Sequence, residues 1–467
     1  MAFADPTATG HRMDADRRET LETKLQRVGD PLQMLRNATG GRFKSPYPDQ
    51  YTSWQDEQRA WMTTATLFDQ SHHMTDVYFE GPDVVRLLSD TSTNSFRGYG
   101  RDRSKHLVVC APDGNMIGTA VLFGLEDEQA SLVGPVAAAN WIAYQAETGG
   151  YDVQVTVDER TRDRDGSPRL VFRYEIQGPM TMAILERANG APLEPVPFFG
   201  MTAFTIAGVP VRALSHTMVG VPGAESMGME IWGPVAHAER VWDGLLAAGA
   251  EFGLVRGGML AYYTGSIESG YAAQPTPAIY TGDDLRPYRE WLPGDGYEAG
   301  LSVGGSYAPA DVRDLYVTPW DFGYSHLVRF DHDFIGREAL EATADAPHRK
   351  KVWLRWNDDD VARVYASSLF DGERRAKYLE TPLARYARVM ADEVLVDGEH
   401  VGISTLSGYT VNVGHWCSVA FLDEARAVDG TSVELVWGEE HGGTAKPNVE
   451  RHVQTTIRAT VSTTPLV

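Results

Sequence analysis

The stretch Phe68-Asp69-Gln70-Ser71-His72-His73-Met74 closes one amphipathic pattern and leads directly into the strand-like run Asp76-Val77-Tyr78-Phe79. A junction between two regular elements has its ends fixed, so it can hold polar side chains at the mouth of a pocket. If the segment is extended, His72 and His73 point in different directions, and at most one of them faces a ligand. The pair also has a plain structural explanation, as one satisfied core histidine beside a solvated neighbour. No HExxH motif and no third ligand at a recognisable offset accompanies it, so no metal is expected.

Upstream, Ser53 and Asp56 read as a capping-box pair for a helix with Trp54, Trp61, Met62 and Ala65 on one side. Downstream, Gly81-Pro82 starts a short helix whose apolar face is Val84, Leu87 and Leu88. Leu107 to Cys110 and Met116 to Phe123, around Pro112-Asp113-Gly114-Asn115, predict a hairpin. Ala137 to Thr148 predicts a helix stopped by Gly149-Gly150, and Val153 to Val157 a strand. The mixed-charge run from Asp158 to Arg169 reads as a solvated loop. The order strand, Gly-Pro, helix at 78–88 recurs at 174–185 through Gln177-Gly178-Pro179, which predicts two related half-units in one α+β domain. Farther on, Met229-Glu230-Ile231-Trp232-Gly233-Pro234 places Glu230 between apolar neighbours at a strand end. A carboxylate there either lies at the sheet margin or binds something that supplies N–H groups. Tyr262 and Tyr263, in Leu260-Ala261-Tyr262-Tyr263, have aromatic core packing as their default explanation.

The 467 residues, 43% hydrophobic, are enough for two to four domains. Sixty-four acidic against 42 basic residues give a net charge of -22, which argues against nucleic-acid binding but leaves room for a local basic patch holding an anionic small molecule. Cys110 and Cys417 are too few for a disulfide scaffold and suit a reducing compartment. The polar first 30 residues and the lack of an 18-residue apolar span predict a soluble, cytoplasmic protein that is not in a membrane. No G-x-G-x-x-G follows a strand with the required downstream acid, so a Rossmann site is not expected. The sequence names no oligomeric partner.

Several ordered stretches carry a resemblance over residues 30–460: the run from Leu67 to Met74, Ala138-Ala139-Asn140-Trp141 with Thr148-Gly149-Gly150-Tyr151, Ile176-Gln177-Gly178-Pro179, Glu230 to Pro234, and Glu268-Ser269-Gly270. To these are added Pro277 to Gly282, Tyr288 to Pro293, Phe330 to Arg337, and Trp437-Gly438-Glu439-Glu440. Together they resemble the glycine-cleavage T-protein (aminomethyltransferase) superfamily, and within it the tetrahydrofolate-dependent O-demethylases that act on vanillate and syringate. The resemblance implies an α+β, three-domain fold around a folate channel. It divides the chain into a polar tail at 1–28, a folate- and substrate-binding region of two intertwined domains at 29–345, and a small antiparallel β-barrel or jelly-roll-like domain at 346–467.

The implied activity is transfer of a methyl group from a methoxylated aromatic compound to N5 of tetrahydrofolate. Other readings are a folate-dependent S- or N-demethylase, an aminomethyltransferase, or a catalytically silent folate-binding regulator. The likeness assigns catalysis to Tyr262 and His73, and folate binding to Glu230, Gln177 and Trp232. It assigns aromatic-substrate contact to Gln70, with His72 and Tyr47 in supporting places. Where ordinary T-proteins carry an aspartate in the early hairpin, this chain reads Met116-Ile117-Gly118-Thr119-Ala120. Where vanillate demethylases carry a carboxylate-binding arginine, it reads Gly134-Pro135-Val136. Either Arg97, Arg101 or Lys105 replaces that arginine or the substrate lacks a carboxylate. The approach Phe43-Lys44-Ser45-Pro46-Tyr47 and the long connection Gly223 to Met229 are further departures.

Overall fold

The computed structural model describes residues 19–40, 46–164, 166–219, 228–272, 274–443 and 446–467. Most of the two departures at 43–45 and 223–227 therefore lies outside the described residues. Eleven strands build two sheets: β1 (Ala65–Asp69), β2 (Thr75–Glu80), β3 (Ser104–Cys110), β4 (Met116–Glu126), β5 (Gln129–Gly134), β6 (Gln154–Asp158), β7 (Val171–Gln177), β8 (Met201–Ile206), β9 (Val209–Ser215), β10 (Gly228–Pro234) and β11 (Leu254–Gly257). One sheet has the order β3-β4-β5-β2-β6, the other β11-β1-β7-β10-β9-β8. Thus β1 belongs to one sheet and β2 to the other, and residues 70–74 carry the chain across.

The two sheets repeat one plan. In the first, β2 runs through Gly81-Pro82 into the helix Val84–Thr91, then β3, β4 and β5, then Gly134-Pro135 and the helix Val136–Thr148. In the second, β7 runs through Gly178-Pro179 into the helix Thr181–Asn189, then β8, β9 and β10, then Gly233-Pro234 and the helix Ala238–Gly249. The recurrence visible in the sequence therefore marks one unit per sheet, a correction to two half-units within one domain. Each first glycine is required by geometry. Gly81 and Gly178 have φ of 147° and 131°, and a Cβ would sit 2.2 Å from the Asp152 carbonyl oxygen and 2.5 Å from that of Thr64.

Residues 350–462 form a closed six-stranded antiparallel barrel, in the order Lys350–Trp356, Trp416–Leu422, Glu399–Tyr409, Asp392–Val396, Ser432–Trp437 and Thr455–Ser462. Trp416–Leu422 escapes a sequence reading because every residue in it is buried, which erases the alternation that marks a strand. The charged end of the segment 1–28 forms a helix. Thr20 caps a helix over Leu21–Val28 that buries Leu21 and Leu25, and Glu22 accepts from Arg289 Nε at 2.6 Å. The apolar pair four residues apart is hidden in a charged run. No helix among the described residues is long and apolar enough to cross a membrane.

Gly178→Ala adds a backbone clash to the left-handed strain of about 1–2 kcal/mol. Gly190, with φ of 79° and nothing within 4 Å, would carry the strain alone. Urea unfolding should therefore show a clearly larger stability loss for Gly178→Ala than for Gly190→Ala.

Candidate active site

The crossover is a turn, and that is what separates its two histidines. Arg169 holds the turn from beneath, donating Nη1 to the carbonyl oxygens of Ser71 (2.7 Å) and Met74 (2.8 Å). Its other nitrogens bind Asp76 at 2.5 Å and Asp158 at 3.0 Å, and Arg164 reaches Asp158 from the far side at 2.5 Å. The run from Asp158 to Arg169 is thus no simple solvated loop. Asp76 and Asp158 face each other across β2 and β6, and the arginines neutralise two buried carboxylates that would otherwise repel.

On β7, Arg173, Glu175 and Gln177 alternate with Phe172, Tyr174 and Ile176, so one face of a buried strand carries three polar groups. Arg173 binds Asp76 of the first sheet and, at 2.6 Å, Glu230 of β10. Glu230 lies directly opposite Glu175, a pairing of like charges. His216 sits between them, with Nε2 3.0 Å from Glu230 and Nδ1 4.0 Å from Glu175. Burial alone would raise the Glu230 carboxyl, but Arg173 and His216 hold it below the ordinary carboxylate range. Glu175 has no such guanidinium. Burial, outweighing the attraction of His216, pushes it up to about 7. Glu175 accepts hydrogen bonds from the amides of both Gln70 and Gln177.

Tyr262, on the helix Met259–Ser269, completes the constellation. Its hydroxyl lies 3.1 Å from His73 Nε2, 3.2 Å from Gln70 Nε2 and 3.6 Å from Met218 Sδ. Burial lifts the phenol well above its ordinary pKa and lowers His73 to about 4, so both are neutral at pH 7. His73, Tyr262 and Glu230 line a cavity of about 780 Å³ whose wall also includes Pro135, Tyr263, Tyr271 and, from the barrel domain, Arg385, residues 388–391, Ile403, Thr405 and Leu406. Seven lining residues are Lys or Arg, and Glu230 is the single acid among those described. In a chain of net charge -22 that is a local reversal of sign.

The other candidates fall in different places. Gln70 and Gln177 stand behind the wall as partners of Glu175. Trp232 is buried below it, edge-on to Phe123 at 5.0 Å and under the Arg173 guanidinium at 5.5 Å. His72 turns away to Thr161, 2.8 Å from its Nδ1, and Tyr47 stacks obliquely near His72 at 6.2 Å. Arg97 and Arg101 are surface residues paired with Asp331 and Glu126, each at 3.0 Å, and neither reaches the cavity, whereas Lys105 does. Arg173, Glu175 and His216 were missed. The first two left a signal, since Arg-x-Glu-x-Gln inside an apolar strand puts three polar groups on one face. His216 left none.

A family model, the GCVT N-terminal domain, matches residues 38–276, which span both sheets and Tyr262. The chain belongs to this family. A syringate O-demethylase from Sphingobium sp. is 42% identical over 448 residues, covering 96% of each chain. A sesamin methylene transferase from Sinomonas sp. is 30% identical over 411 residues, covering 84% of this chain and 86% of its own. Among solved structures, the glycine cleavage aminomethyltransferase T of Bartonella henselae superposes with a TM-score of 0.60 at 18% identity, over 92% of this chain and 95% of that one, and bears on the fold alone.

For a GCVT-family demethylase the methyl acceptor is tetrahydrofolate, and the donor set suits it. An ionised carboxylate offers about four lone-pair sites. Arg173 and His216 engage one oxygen each of Glu230, which leaves acceptor capacity facing the cavity for ring N–H groups.

The buried charge ladder under this family site has a measurable cost of disruption. Arg169→Met leaves Asp76 to Arg173 alone and Asp158 to Arg164 alone, frees the carbonyls of Ser71 and Met74, and should lose about 3 kcal/mol in urea unfolding. Arg101→Met, on an exposed pair, should stay within about 0.5 kcal/mol of the parent.

Proposed function

We propose that the cavity accepts an aromatic methyl ether bearing a carboxylate, with Tyr262 giving its hydrogen to the ether oxygen as the methyl group departs. The chain is a tetrahydrofolate-dependent O-demethylase of methoxylated aromatic compounds. The observation that carries this reading is the 3.1 Å contact between His73 Nε2 and the Tyr262 hydroxyl in the wall of a cation-lined cavity. Cys110 and Cys417, both buried free thiols, suit a reducing cytoplasm. The early hairpin offers apolar Met116 and Ile117, both fully buried, where aminomethyl transfer calls for an acid.

Tetrahydrofolate supplies the nucleophilic nitrogen N5. When the methyl carbon passes to it, the carbon–oxygen electron pair stays on the ether oxygen, which gains a proton while N5 loses one. A phenoxide is a poor leaving group unless that charge is met as it develops. A phenol with a raised pKa keeps its proton in the resting site and yields it only to a strongly basic oxygen. In this assignment His73, uncharged, carries its proton on Nε2 and donates to the Tyr262 hydroxyl, holding the ring without taking its hydrogen. Glu230, anchored by Arg173 and His216, is the group we assign to the pterin N–H groups.

Tyr262→Phe preserves the ring and removes the donor, so the single-turnover rate at saturating tetrahydrofolate should fall by roughly 10²-fold or more. Tyr263→Phe should change it little; an unaltered rate in Tyr262→Phe would exclude the donor role.

The carboxylate is assigned to Arg388. Its guanidinium sits 4.8 Å from the Tyr297 ring, and Nη1 is buried with no hydrogen-bond acceptor among the described residues. Its neighbour Arg385 is already committed to the backbone carbonyls of Ala387 and Arg388, and approaches Tyr263 at 5.9 Å. A half-buried guanidinium with a buried, idle donor is costly unless an anion completes it. Arg388→Met should therefore cut kcat/KM for syringate by about tenfold or more while leaving 2,6-dimethoxyphenol, the same ring without the carboxylate, nearly unchanged. Equal losses on both compounds, or a parent enzyme that favours the neutral phenol, would reject the acid-binding reading.

A further inference from the structure

Gln70 touches the Tyr262 hydroxyl with its amide nitrogen, and the reason it presents nitrogen lies one residue deeper. The same Nε2 donates to a carboxylate oxygen of Glu175, while Gln70 Oε1 is buried with no hydrogen-bond partner among the described residues. With the amide reversed, an oxygen would face an ionised carboxylate and the hydrogen bond to it would be lost. The ionised Glu175 therefore fixes one of two amide orientations. Gln177 donates to the other oxygen of Glu175 and accepts from Thr217 Oγ1 at 2.8 Å, so the carboxylate is itself clamped.

We propose that Glu175 is a positioning residue that acts through Gln70: by keeping the amide NH2 turned toward the phenol, it makes the Tyr262 oxygen an acceptor on that side and sends its hydrogen toward the cavity. The inference rests on the reading of Tyr262 as donor to the ether oxygen. A hydroxyl has one hydrogen. If Gln70 showed its carbonyl, that hydrogen would be drawn backward into the wall and lost to the reaction.

The orientation holds only while Glu175 is ionised. Once protonated, its O–H is a donor, the carbonyl of Gln70 can turn toward it, and the Tyr262 O–H then has an acceptor behind it. The groups facing Glu175 are Glu230 on β10, His216 after β9, Gln70 after β1, Gln177 and Arg173 on its own strand, and Tyr262 on the helix Met259–Ser269 with His73 beyond it. Arg173 is committed to Asp76 and Glu230. Because the carboxyl of Glu175 is raised to about 7, the competent form predominates above that pH and is lost as pH falls through it.

The test is the single-turnover rate at saturating tetrahydrofolate and aryl ether between pH 6 and 8.5. The parent enzyme should slow on the acid side of about pH 7. Glu175→Gln, whose own NH2 group holds Gln70 in the reversed orientation, should be about tenfold slower at pH 8 and flat across the range, with tetrahydrofolate affinity within about threefold of the parent. Gln70→Leu keeps the carboxylate but removes both the donor and the carbonyl that links it to the phenol, and should lose the acid limb; it serves if Glu175→Gln does not fold, and a retained acid limb would overturn the proposal. A parent profile with no acid limb would overturn the proposal, as would a Glu175→Gln enzyme that retains the parent rate. A slowed Glu175→Gln that keeps the acid limb would mean a purely structural effect and an ionisation elsewhere, His216 being the nearest. Tyr262→Phe separates the two readings. If it retains full rate, the donor assignment fails first; if it is slow while Glu175→Gln is not, only the inference about Glu175 fails.

Discussion

One guanidinium joins the two halves of this molecule. Arg173 is 2% exposed and binds Asp76 on the first sheet and Glu230 on the second, so the relative placement of the sheets and of the ligand-facing carboxylate is set by the same side chain. Alternation of sign continues outward through Asp76, Arg169 and Asp158, and inward through Glu230 and His216 to Glu175. Burying so many charges is tolerable only because each has an opposite or a hydrogen-bonding neighbour at contact distance. The ladder lies directly under the turn that carries His72 and His73. Arg169 spends two of its donors on the backbone of that turn, which ties the position of His73 to the same network.

The duplicated β-α-β-β-β-α plan explains why the site is asymmetric although the scaffold is nearly repeated. Both copies use a Gly-Pro step after their first and last strands, yet only the second carries the Arg-x-Glu-x-Gln face, on β7. The first copy contributes Asp76 and the wall at Pro135. The polar face behind the cavity is thus carried by one repeat and braced by the other, while His73 and Tyr262 come from the crossover and from the helix Met259–Ser269, outside both.

How much of this was legible in the sequence follows from the same physics. The crossover at 68–74 could be located because apolar periodicity stops and restarts around it, and Glu230 because a lone acid interrupts an apolar run. Gly-Pro recurrences were visible, but sheet membership was not, since pairing partners are set by contacts distant in sequence. The segment 158–169 misled because charged residues read as solvated unless their partners are known; Arg169 finds Asp76 93 residues away. Arg97 and Arg101 were suggested by proximity along the chain, and both point to solvent. Arg388 had no local mark at all, being a cation in a loop of the C-terminal domain that becomes a wall residue only when that domain docks.

The docking contacts set a schedule for the newly made chain. The helix bearing Tyr262 is seated by residues far downstream: Trp353 Nε1 donates to the Ile267 carbonyl at 2.8 Å, and Asn412 Nδ2 donates to Glu268 at 3.0 Å, beside the bond from Trp61. Domains emerging from the ribosome fold in order from the N-terminus. The two sheets, with Lys105, Arg160 and Arg162 of the cavity wall, are therefore made before the strands that finish its far side have been translated. An unfinished chain lacks both the contacts that seat the helix bearing Tyr262 and the barrel wall of the cavity, so translation reaches its last domain before the cavity is enclosed.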